Sequence, residues 1–118
     1  MEQFRFKKWD VYKDSRDFFS FALKLVRKVP RDFRFEIGSQ LIRSAFSISL
    51  NIAEGSGKSS DKEMNRFFEI ALGSVYESLA AIDILEYNGF ISSKERNEAE
   101  VALVTISKQL GGFKKKLN

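Results

Sequence analysis

The side chains best spaced to do chemistry lie on a polar seam formed by Gln40, Arg43, Ser44, Ser47, Asn51 and Glu54. The seam runs between two apolar stripes at helical spacing: Ile37, Leu41, Ala45, Ile48 and Ile52 on one side, and Ile42, Phe46, Leu50 and Ala53 on the other. A helix apolar on two sides is one that other helices surround. Its polar groups then need partners inside the protein, since an unpaired one costs about 1–3 kcal/mol. Folding the next helix back through a turn at 56–60 brings Glu54 near Arg66 and Arg43 near Glu77. The expectation is two cross-helix ion pairs, Glu54–Arg66 and Arg43–Glu77, with Ser47, Asn51 and Ser74 filling in hydrogen bonds. Read as catalysis, the seam has two carboxylates and two guanidiniums but no clear nucleophile. Read as structure, it is a buried polar network, the commoner use of paired buried charge.

Other chemistries fail on residue type or context. Gly57-Lys58-Ser59 invites comparison with a phosphate-binding loop, but that motif needs a glycine where Ile52 stands and a strand where this chain has a helix. A helix-joining turn is the better reading. The chain has no cysteine and no histidine, so thiolate chemistry and the commonest general base and transition-metal ligand are absent. A di-metal bundle site needs Glu-x-x-His pairs, and no cofactor or metal is expected. These absences point to a non-enzymatic protein.

Basic side chains form the remaining candidate surface. An arm carries Arg5, Lys7 and Lys8 interleaved with Phe4 and Phe6; Lys13, Arg16, Lys24, Arg27 and Lys28 share one face of the first helix; Lys114, Lys115 and Lys116 lie near the other end of the chain. Residues 1–35 hold ten Lys/Arg against five Asp/Glu, residues 61–92 hold two against six, and residues 93–118 hold six against three. Basic ends around an acidic middle suit RNA or DNA, and opposite signs equally steer copies of the chain onto one another. Phe4, Phe6 and Trp9 are able to stack on unpaired bases or to pack at a subunit seam.

Four helices position these groups, at roughly 10–29, 35–54, 61–88 and 93–116. The first spans from Asp10, read as its cap, to the residue before Pro30, with Val11, Ser15, Phe18, Ala22, Leu25 and Val29 as its seam. Tyr12, Phe19, Leu23 and Val26 on one flank and Phe21 on the other widen that seam beyond what one bundle covers, which suggests another subunit. The second helix, with Asp32 a possible cap, stops at Gly55. Ser60 with Glu63, and Ser92 with Glu95, stand at capping-box spacing. The third helix has a small-residue seam through Phe67, Ala71, Ser74, Ser78, Ala81 or Ile82, and Leu85, so a neighbour can approach closely. The fourth uses Ala99, Leu103, Ile106, Leu110, Phe113 and Leu117, and Gly111-Gly112 predicts fraying or a bend. Short links between four helices give a single all-α, antiparallel up-down-up-down bundle. No apolar stretch approaches the roughly 20 residues of a membrane span and the start is no signal peptide, so a cytoplasmic protein is expected.

With these residues in view, the chain resembles the small bacterial proteins encoded in intervening sequences of 23S ribosomal RNA genes, often labelled ribosomal proteins. The resemblance rests on Gln40-Leu41-Ile42-Arg43-Ser44-Ala45 leading into Ser47-Ile48 and Asn51-Ile52-Ala53-Glu54-Gly55, on Arg66 through Ser74 followed by Glu77, and on Tyr87-Asn88-Gly89-Phe90-Ile91-Ser92. It implies a closed four-helix bundle assembling as a homopentameric ring. It also implies kinship with the accessory protein of diversity-generating retroelements, a basic pentamer that binds nucleic acid and a reverse transcriptase. The family often carries further basic residues where this chain has Ile42 or Ser44, and Leu72, so any nucleic-acid contact made from those positions is missing here.

Overall fold

The computed structural model describes residues 3–117, except for the side chain of Leu117. Met1 and Glu2 of the basic arm and the Leu117 contribution to the fourth seam lie outside the described residues. Four long helices carry the fold: α1 (Asp10–Val26), α2 (Ser39–Ser56), α3 (Asp61–Tyr87) and α4 (Ser93–Leu117). They alternate in direction, each packs on its sequence neighbour, and α4 closes back on α1 in a bundle measuring 47 × 22 × 20 Å. Among the described residues there is no strand.

Backbone chemistry at the ends accounts for most helix boundaries. Trp9, in extended conformation, is the cap of α1, so Asp10 is the first helical residue and not the cap. The helix ends at Val26, short of the expected Val29. Pro30 disfavours helical backbone just before it, and Arg34 accordingly donates to the free carbonyls of Arg27 and Val29. Asp32 is not a cap either; it lies inside a helical turn at Arg31–Phe33 that runs through a π-helical stretch, Arg34–Gly38, directly into α2. Gly89 has φ 78, the left-handed conformation that lets α3 stop, and Phe90 N–H returns to the Leu85 carbonyl at 3.0 Å.

Gly55 is not a terminator. It is buried within α2, and a Cβ there would lie 3.0 Å from the Phe68 ring and 3.1 Å from Phe67 Cβ, so the glycine is there to let α3 approach. The helix continues to Ser56. Nor do Gly111 and Gly112 break α4, which runs on to Leu117 because Phe113 is anchored against Trp9 and Phe68, ring centroids 4.7 and 5.1 Å away.

The two capping boxes differ. Ser60 Oγ accepts from Glu63 N–H at 3.2 Å, while Ser92 and Glu95 bond reciprocally, Glu95 N–H to Ser92 Oγ at 3.1 Å and Ser92 N–H to Glu95 Oε1 at 2.9 Å. Glu95 also pairs with Lys28, tying α4 to the end of α1. The Lys28 hydrogen bond, then the Ser92 N–H, hold the Glu95 carboxyl below the usual glutamate range. A lowered folded pKa means the contribution is full above the ordinary glutamate value of 4.5 and is lost as pH falls through the lowered one. Glu95→Ala should therefore cost about 1 kcal/mol at neutral pH, with the gap from the parent protein narrowing on acidification, as measured by urea denaturation at several pH values.

Inside, the expected seams are buried. Val11, Ser15, Phe18, Ala22 and Leu25 of α1 face Leu41, Ala45, Ile48 and Ile52 of α2, Phe68, Ala71 and Ile82 of α3, and Ala99, Leu103, Ile106 and Leu110 of α4. Each large apolar side chain so buried contributes about 1.5–3 kcal/mol. The second stripe of α2 departs from expectation: Phe46 is 49% exposed and Leu50 50%, and Ile37 of the first stripe is also exposed. Within one chain α2 has neighbours on one side and open surface on the other.

Candidate functional site

The buried seam is built from hydroxyls, not ions. Ser44 and Ser78 oxygens lie 2.8 Å apart between α2 and α3, Ser74 donates to Ser47 at 2.9 Å, and Ser15 of α1 meets Ser49 of α2 at 2.8 Å. Asn51 donates to the Ser47 hydroxyl and carbonyl. The two expected ion pairs do not form. Arg43, Glu54, Arg66 and Glu77 are exposed; Glu54 reaches Lys58 at 4.0 Å, and Arg66 reaches Glu63 at 3.7 Å. The cause is direction: each step along a helix turns the side chain by about 100°, so Arg43 and Glu77 splay outward beside Ser44 and Ser78.

Donor direction in these pairs is fixed by local acceptors. Ser44 also lies 3.1 Å from the Leu41 carbonyl, which can only accept. Ser44 therefore donates to Leu41 and accepts from Ser78. Removing Ser78 leaves Ser44 satisfied, whereas removing Ser44 strands the Ser78 hydroxyl in a buried site. Ser44→Ala should cost about 1–3 kcal/mol and Ser78→Ala about 1 or less, an asymmetry readable in paired denaturation curves.

The basic candidates fall into three groups. Arg5 is committed to the fold, donating to the Ser56 carbonyl at 3.2 Å and to Met64 sulfur while its guanidinium covers Trp9. Lys28 and Lys114 are ion-paired, with Glu95 and with Glu69, the latter at 3.2 Å. Lys13, Arg16 and Lys24 on α1 and Arg27 just past its end are exposed, and among the described residues none is in an ion pair; Arg16 lies over the Tyr12 ring at 5.5 Å. These four span about 21 Å of helix at 1.5 Å per residue. Lys7, Lys8, Lys115 and Lys116 are exposed at the end of the bundle where the arm and α4 meet.

The over-wide α1 face and the second α2 stripe meet in an outer α1–α2 groove, with Tyr12, Phe19 and Leu23 beside Ile42, Phe46 and Leu50, and the Phe19 and Phe46 rings 5.3 Å apart. Two further features escaped the sequence reading. Arg96 gathers Asp83, Glu86 and Glu100 at 3.5, 3.7 and 3.0 Å, binding α3 to α4. A groove of about 1070 Å³ joins the arm, the α2–α3 turn and the end of α4, and includes Lys58, Trp9 and Phe113. Aromatic residues near both chain ends were the available signal for it, but only the fold brings them together. Among the described residues no three acidic side chains are grouped to hold a metal, and no helix is long and apolar enough to cross a membrane.

Comparison with known proteins follows the same outline. No curated protein matches the chain. A solved structure from Bacteroides thetaiotaomicron, a protein of unknown function from the S23 ribosomal protein family, superposes with a TM-score of 0.82 at 24% identity, over 89% of this chain and 98% of that one. That likeness establishes the fold. The profile of the 23S rRNA-intervening sequence proteins matches residues 7–112, nearly the whole bundle. The chain is a member of the 23S rRNA-intervening sequence protein family.

Proposed function

We propose that this protein is a non-enzymatic, cytoplasmic assembly module that binds RNA or DNA through basic surfaces pooled among several copies. The observation that carries the reading is the line of Lys13, Arg16, Lys24 and Arg27 along α1 and its end, exposed and without carboxylate partners among the described residues, beside an apolar stripe that is partly open. Phosphate contacts need cations not already neutralised, and four per chain is a modest number. Repetition around a ring, five-membered by the resemblance described above, multiplies them into a continuous belt. The apolar groove of Tyr12, Phe19, Leu23, Ile42, Phe46 and Leu50 supplies a surface for such assembly, as exposed apolar patches of this kind commonly do.

Light scattering together with the absorbance ratio of freshly purified protein tests both halves. A multimer carrying nucleic acid that is shed at high salt supports the reading, and a monomer free of nucleic acid at low salt overturns it. A second reading, a protein-interaction scaffold without nucleic acid, draws on the outward ridge of α3, where Tyr76, Ile84 and Tyr87 are all exposed. It predicts a stable multimer whose affinity for fluorescent RNA is nil at every salt concentration.

A further inference from the structure

We propose that the groove at the arm end of the bundle, lined by Phe4, Arg5, Trp9, Lys58, Phe113 and Lys116, is a site for unpaired nucleotides of a single-stranded nucleic acid. The proposal rests on the nucleic-acid reading above and assigns one part of the contact to a distinct place. Three segments far apart in sequence converge there: residues 3–9, the α2–α3 turn and the last turns of α4. Their combination of one exposed ring, half-buried rings and cations is the kind that single-stranded binding uses, with bases stacking on aromatic faces while cations follow the backbone.

The geometry favours a stacked base over a bare phosphate. Glu54 and Asp61 also line the groove, and Glu54 partly neutralises Lys58 at 4.0 Å, so charge alone is a weak attractor. The rings are better placed. Phe4 is 65% exposed at the groove, with the Lys7 ammonium 5.7 Å from its centroid. Its backbone is left-handed, φ 56 and ψ 41, and among the described residues no other non-glycine side chain has positive φ. Such a conformation is uncommon for a bulky residue and recurs at binding sites. Trp9 and Phe113 form a ridge, centroids 4.7 Å apart, shared with a second hollow of about 390 Å³ that adds Lys8 and Gln109. A strand crossing that ridge meets Lys116 in both hollows.

Trp9 is the only tryptophan, so its emission reports on this end of the bundle. A short oligothymidylate should change Trp9 emission saturably, and a duplex of the same length should leave it unchanged. Phe4→Ala should weaken the oligothymidylate response roughly tenfold, the effect of losing one base–aromatic stack. Lys116→Glu should weaken it several-fold. Both side chains lie outside the core, so each variant keeps the fold. Salt-sensitive anisotropy of labelled oligothymidylate with a silent Trp9 and an unaffected Phe4→Ala variant would overturn the groove while leaving the α1 face standing. An equal Trp9 response to duplex overturns the preference for unpaired nucleotides. No binding of either probe overturns the groove and the reading beneath it together.

Discussion

Phe68→Ala is expected to cost about 3–5 kcal/mol of folding stability, about a fifth or more of what a domain of this size commonly has. Phe68 has no exposed surface, and it adds to the contacts that tie the arm, α2 and α4 together. Its ring meets Trp9 of the arm edge-on at 6.1 Å, Phe113 of α4 at 5.1 Å, and the bare backbone of Gly55 in α2. Removing it opens a cavity that the surrounding rings cannot fill without leaving one another. Because Gly55 has no side chain, α2 offers nothing to swing into the space. The parent and variant proteins should be compared by urea denaturation, following helical circular dichroism and Trp9 emission in parallel. The emission should shift to the red in the folded variant, since Trp9 loses one of its two ring neighbours. A cost below about 1 kcal/mol would mean that the arm end is loosely packed and that the aromatic cluster does not hold the bundle together.

How much of this was legible in the sequence depends on the angular resolution each inference demanded. The four helices, their seams and the Ser92–Glu95 box follow from spacing of three and four residues, which tolerates an error of one position. The ion pairs demanded more. The register was near enough: Ser44 meets Ser78 and Ser47 meets Ser74, so Arg43 and Glu77 are level across the hairpin. They still point away, because the close approach allowed by small residues leaves the adjacent long side chains on the outside. Gly55 misled for a related reason, since glycine serves both helix ends and close helix contacts, and only the position of Phe67 and Phe68 tells which. The two-stripe pattern of α2 remains informative: one stripe is the core, and Phe46 and Leu50 on the other mark surface left open within a single chain.

The second large effect concerns the α1 face. Reversing Lys13, Arg16, Lys24 and Arg27 together to glutamate should lower nucleic-acid affinity about 100-fold at roughly 0.1 M salt and flatten the salt dependence. Each phosphate contact contributes about 0.9 to the slope of log affinity against log salt on duplex, or about 0.7 on a single strand, so four lost contacts remove about three units from the slope for each copy that engages the nucleic acid. The four side chains are exposed and, among the described residues, in no ion pair, which keeps the folding penalty small. Glutamates at 24 and 27 do oppose the helix dipole near the end of α1, at about 0.3–1 kcal/mol each, and a thermal melt by circular dichroism measures that separately. Lys94→Glu with Lys108→Glu is the matched control: both lysines are exposed, lie on α4 and not on α1, and the pair changes charge by half as much. If affinity depended only on total charge, the control would give half the logarithmic loss of the quadruple variant. A geometrically defined face predicts far less than half. Equal loss per charge would reduce the α1 line to general electrostatic attraction, and an unchanged affinity in the quadruple variant would remove it from the interface altogether.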